Sequence, residues 1–80
     1  MATIDDVVLH KSGSLLLDAA GMLRMEAREW LDRRSYPVPQ WEKDGWSDRC
    51  ERIAATNTSA ATAMEQTAKK IAEAVAKTAA

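Results

Sequence analysis

Apolar residues recur along the first third of the chain at helical spacing. Leu9, Leu16, Leu23 and Trp30 fall seven residues apart, with Gly13, Ala20 and Ala27 interleaved between them. Steps alternating between three and four residues return to one side of a helix, so this pattern predicts an arm that packs along another helix. Large and small positions alternate along the stripe. A second series, Val8, Leu15 and Met22, runs off the first. A helix with two apolar stripes needs two neighbours. Thr3 followed by Asp6 has the form of a capping box, and Asp5 and Asp6 suit the positive end of a helix, so the arm is expected to begin near Ile4. Arg33 and Arg34 suit its other end, near position 34. Ser12-Gly13-Ser14 is where a break would fall, because a helical glycine costs about 1 kcal/mol relative to Ala.

A second arm is predicted over 47–77, where there is no Gly and no Pro and where Ala and Thr dominate. Ser47 is the expected N-cap. The stripe reads Cys50, Ile53, Asn57, Ala60, Met64, Thr67, Ile71, Ala74 and Thr78, with Ala68 and Val75 beside it. Asp48/Arg52, Glu65/Lys69 and Glu73/Lys77 are acid-first pairs four apart, the favoured orientation. Thr56-Asn57-Thr58-Ser59 has mediocre helix propensity and is where a kink or frayed turn would fall.

The stretch between the arms, 35–46, reads differently. Tyr36 and Val38 each precede a proline, which disfavours helix. Gln40 to Asp44 is expected to form one short turn, with Pro39 opening it and Gly45 closing it. Trp30, Tyr36, Trp41 and Trp46 are all the aromatic residues the chain has. Two arms, each rising roughly 46 Å at about 1.5 Å per residue, predict an all-α fold: an antiparallel helical hairpin with a Pro/Trp-rich connector. The pairing is expected to set Gly13, Ala20 and Ala27 against 60–74. One hairpin supplies only one neighbour. The stripe Val8, Leu15 and Met22 therefore predicts self-association, most simply a homodimer forming a four-helix bundle with two-fold symmetry.

Composition narrows this further. Eighty residues make one domain, and a domain this small is marginal alone. Cys50 is the only cysteine, so an intrachain disulfide is excluded. His10 is the only histidine, and no Cys/His set has zinc spacing. Oligomerisation is the remaining means of support. Lys and Arg number 11 against 12 Asp and Glu, a balance that argues against nucleic-acid binding. The acidic start is unlike a secretory leader, and no run could span a bilayer, so a soluble, cytoplasmic protein without membrane contact is expected.

The catalytic inventory is thin. His10 has no partner fixed by sequence and reads as a surface residue. Cys50 reads as a small core residue, the alternative being a reactive or intermolecularly bridged thiol. Glu26, Glu29 and Asp32 interleave with Arg24, Arg28 and Arg33 and read as surface ion pairs rather than metal ligands. Gly13, Gly21 and Gly45 lack the spacing of a phosphate loop. No catalytic, cofactor-binding or metal-ligating residue is therefore assigned, and an enzyme is not expected.

What remains is binding. Arg24, Arg28, Arg33, Arg34, Arg49 and Arg52 are expected to gather around the aromatic connector. Arg beside Trp and Tyr is the composition of interaction hot spots. It is also that of single-stranded nucleic-acid platforms, but Asp32, Glu42, Asp44, Asp48 and Glu51 would blunt a phosphate-binding field. Trp30, on the stripe, reads as core. Tyr36, Trp41 and Trp46, with Arg33, Arg34 and Arg49, are the expected partner-binding residues; the competing reading is that the rings plug the end of the bundle. The expected function is a small adaptor or inhibitor of a larger protein, a kind common among phage and mobile-element accessory proteins. The alternative is a structural assembly subunit, with single-stranded nucleic-acid binding weaker still. No motif identifies a family.

Overall fold

A computed structural model of the chain describes residues 4–79, with the side chains of 5–77. Helix α1 spans Ile4–Asp32 and helix α2 spans Trp46–Ala79. Two single 3-10 turns, Arg33–Ser35 and Gln40–Glu42, lie between them. The helices pack side by side as a hairpin, and there is no strand among the described residues. The result is a rod whose Cα extents are 62 × 14 × 13 Å. No described helix is long and apolar enough to cross a membrane.

Cross-hairpin contacts fix an antiparallel register. Arg34 meets Glu51, Glu26 meets Asn57, Arg24 meets Thr62 and Glu65, and Gly13 lies against Ala68 and Ile71. Numbers fall along α1 as they rise along α2. Gly13 thus lies against the expected segment, whereas Ala27 adjoins the Glu26–Asn57 contact, short of 60–74.

The seam between the helices is built from small residues. Ala20, Ala27, Cys50, Ala54, Ala61 and Ala68 are buried, and so is Gly13. Cys50, at 0% exposure, is the largest fully buried side chain. Small residues at seven-residue intervals let two backbones approach closely. On α1 the interleaved Leu16, Leu23 and Trp30 are half-buried along the margin of this seam.

On α2 the buried face is turned from the expected one. Cys50, Asn57, Met64 and Ile71 keep their places at or near the seam. Ala54, Ala61 and Ala68 are buried instead of Ile53, Ala60 and Thr67, each one residue earlier, and Ala74 is exposed. One residue is about 100° around a helix. The reason is compositional: 54, 61, 68 and 75 are apolar throughout, whereas the neighbouring series carries the hydroxyl of Thr67.

Neither expected weak point interrupts its helix. The Ser12 hydroxyl donates to the Val8 carbonyl at 2.9 Å. A Cβ built on Gly13 would lie 3.6 Å from Ile71 Cγ2, an ordinary contact distance, so the helix runs through this buried glycine at a position where an alanine would also fit. In α2 the Thr56 and Thr58 hydroxyls donate to the carbonyls of Arg52 and Ala54 at 3.0 and 2.8 Å, turning inward on the helix that carries them.

The ion pairs also differ from expectation. Glu65 reaches across to Arg24 rather than along its own helix to Lys69. Both guanidinium nitrogens engaged, Nε and Nη2, donate to the Glu65 carboxylate, the first at 3.1 Å. This hydrogen-bonded pairing, more than bare charge attraction, holds Glu65 below the usual carboxylate range and raises Arg24. Glu26 accepts from Asn57 at 3.4 Å. The Thr3 cap and the terminal Ala80 lie outside the described residues, as does the side chain of Thr78.

Candidate interaction surfaces

The connector is anchored at one carbonyl. The oxygen of Arg33 accepts from the Tyr36 backbone N–H at 3.0 Å and from the Trp46 indole N–H at 2.8 Å. Trp46 is the first residue of α2, so this second bond ties the two helix ends together. Its ring meets that of Trp30 with centroids 6.5 Å apart and planes tilted by 54°, a favourable aromatic geometry. The Arg33 guanidinium lies 4.3 Å over the Trp30 ring, and that of Arg49 lies 5.8 Å over Trp46.

Polar bonds brace the remaining turns. Arg34 donates to the Leu31 carbonyl at 2.9 Å and to the Glu51 carboxylate at 3.0 Å. Arg49 donates to the Glu42 carbonyl at 3.1 Å, tying α2 to the Gln40–Glu42 turn. Gly45 has φ of 77°, a left-handed conformation that suits glycine. Its carbonyl accepts from the Arg49 N–H at 2.9 Å, so the first helical bond of α2 starts at Gly45 and not after Ser47.

These bonds divide the rings into two sets. Trp30 and Trp46 are half-buried and close the end of the hairpin. Trp41, at 79% exposure, and Tyr36, at 56%, stand in solvent. The division answers what composition leaves open: two rings plug and two are displayed. Arg34, Ser35, Tyr36 and Ser47 line both of two adjoining shallow grooves. One, of about 620 Å³, extends to Leu31 and Asp32; the other, of about 430 Å³, extends to Val38, Lys43 and Trp46.

The expected arginine cluster is smaller than six. Arg33 and Arg34 of the connector and Arg49 of the first turn of α2 are all engaged in contacts at this end of the rod. Arg24 is held midway along the rod by Thr62 and Glu65.

The second surface is the off-seam stripe of α1. Val8, Leu15 and Met22 are 55%, 68% and 66% exposed. Val7, Leu17, Met25 and Leu31 are also exposed, and sequence reasoning did not single them out. Their only signal is being apolar away from the seam's phase. His10 is exposed, Cys50 is a free thiol sealed in the seam, and no three His, Cys, Asp or Glu among the described residues group to hold a metal ion.

No protein-family model, curated protein or solved structure matches this chain.

Proposed function

We propose that the protein is a non-enzymatic interaction module, a small adaptor or inhibitor that docks on a larger protein through the connector end of the hairpin. The observation that carries this reading is the exposed pair Trp41 and Tyr36 on a connector braced by internal bonds. An indole held out by a pre-ordered turn loses little further freedom on binding. Aromatic and Arg side chains supply most of the energy at protein interfaces. Arg34 and Arg49, at the margin of the rings, add charged donors for carboxylates or carbonyls of the partner.

The test is a pull-down from the source cell with the wild-type chain and with Trp41→Ala/Tyr36→Ala. The double variant should lose the captured partner while its helical circular dichroism and melting temperature stay at wild-type values. Retention of the same partner would remove the connector from the binding surface. Unfolding of the variant would make the rings structural.

A second reading, an assembly subunit built on a homodimer, is favoured by the exposed Val8, Leu15 and Met22. In this reading two hairpins join along that stripe into a four-helix bundle. The two readings are compatible, because the stripe and the displayed rings occupy separate parts of the rod.

A further inference from the structure

The chain alone leaves much surface exposed. Its accessible area is 6205 Å² for 8.8 kDa, whereas a compact monomer of that mass exposes roughly 4,800 Å². The excess, about 1,400 Å², exceeds the roughly 800 Å² that each partner of a standard interface buries.

Two contacts mark the long edges of the hairpin. Arg24 and Glu26 are two residues apart, hence about 200° apart around α1, and mark the two edges where α1 meets α2. The Arg24 edge carries the Arg24–Glu65 and Arg34–Glu51 ion pairs. The Glu26 edge carries Asn57 and, by helical periodicity, continues into Val8, Leu15 and Met22 on α1 and Ala60, Ala63 and Thr67 on α2. The Arg24 edge is thus laced by ion pairs, with exposed Leu17 and Leu31 seven residues to either side of Arg24, whereas the Glu26 edge presents the apolar stripe beside small uncharged residues of α2.

Lys11 and Asp18 flank that stripe. Each lies three residues after a stripe member, Val8 or Leu15, so both stand on the same side of it, away from the seam. Both are exposed, and neither makes an ion pair with another described residue. In an antiparallel pair of helices, like flanks face each other. A two-fold axis through Leu15 sets Leu15 on Leu15 of a second copy and Val8 on Met22. The same axis brings Lys11 to within about one residue, roughly 1.5 Å of rise, of level with Asp18 of the second copy, twice by symmetry. A parallel pairing would instead set each flank against the opposite flank of the second copy, Lys11 beside Ser12 and Asp18 beside Ala19, with no opposite-charge contact.

From this juxtaposition we infer that the occupant of the stripe is a second copy of the chain, docked antiparallel about Leu15 with reciprocal Lys11–Asp18 pairs. This assignment rests on the homodimer reading above and adds its orientation and register. It places the two connector ends, each with its Trp41, at opposite poles of the assembly, so the dimer is bivalent for a partner bound there.

Sedimentation equilibrium on charge-exchanged chains tests it. Lys11→Glu sets Glu against Asp18 at both symmetric positions, and Asp18→Lys sets Lys against Lys11. Each variant alone should dimerise about tenfold more weakly, the sum of several small surface terms. Mixing the two variants in equal amounts should restore wild-type affinity, because the heterodimer regains two opposite-charge contacts. The Lys11→Glu/Asp18→Lys double variant should do the same. Variants that dimerise like wild type, or a mixture that shows no rescue, would overturn the register while leaving a dimer standing. A wild-type chain that is monomeric throughout would overturn the dimer itself.

Discussion

Two apolar series share helix α1 and meet opposite fates. Gly13, Ala20 and Ala27 are among the smallest residues it offers, and they are buried. Val8, Leu15 and Met22 are among its largest, and they are exposed. The first series lies five residues beyond the second, about 140° around the helix, so α2 cannot cover both. The difference teaches what each face is for. Small side chains bring two backbones together within one hairpin but remove little apolar area from water. Large side chains make the greater hydrophobic contribution, about 25 cal/mol per Å², and in the proposed dimer that contribution is made against the α1 of a second copy.

The sharpest break in this contrast is to give the seam a large side chain. Ala61 is fully buried, and Ala61→Leu would force the helices apart. Overpacking typically costs 1–3 kcal/mol, a large share of the stability of so small a domain. The expected outcome is loss of most cooperative helicity in a thermal melt. A melting temperature near wild type would mean that the helices are not in close contact there.

A smaller effect is expected at the end of the rod. Trp46→Phe keeps an aromatic ring against Trp30 but removes the indole donor from the Arg33 carbonyl. The Tyr36 N–H still serves that oxygen, so the loss should be about 1 kcal/mol, the ordinary net value of one hydrogen bond. Urea denaturation should show it as a lowered midpoint with an unchanged slope. No change would mean that the indole bond does not brace the connector. The corresponding change at Trp41, which stands in solvent, should leave stability almost unmoved.

The hairpin was legible in the sequence because Leu16, Leu23 and Trp30 state the phase of α1 without ambiguity and because prolines 37 and 39 mark where helix must stop. The phase of α2 was harder to read. Its seam residues are alanines with alanine neighbours, Ala54 beside Ala55 and Ala61 beside Ala60, so hydrophobicity barely distinguishes adjacent faces; Ala68 and Val75 carried the remaining signal. Of the rings, Trp30 was legible as core from its place on the stripe, but the separation of Trp46 from Tyr36 and Trp41 was not. It depends on the left-handed backbone at Gly45 and on which carbonyl the Trp46 indole reaches, and neither follows from residue spacing. The cross-hairpin partner of Glu65 was hidden for a similar reason. Lys69 stands four residues along the same helix, and only the register of the pairing brings Arg24 into competition with it.

In the proposed dimer the exposed stripe of α1 is one half of an interface between copies of this chain. The most direct measurement is the mass of the wild-type chain in solution by sedimentation equilibrium, beside Leu15→Glu, which places a charge on the stripe's midpoint. Wild type should show twice the 8.8 kDa chain mass, and the variant a single chain mass with its helical signal retained. A wild-type mass of one chain across the accessible concentration range, or a Leu15→Glu variant that dimerises as tightly as wild type, would contradict it.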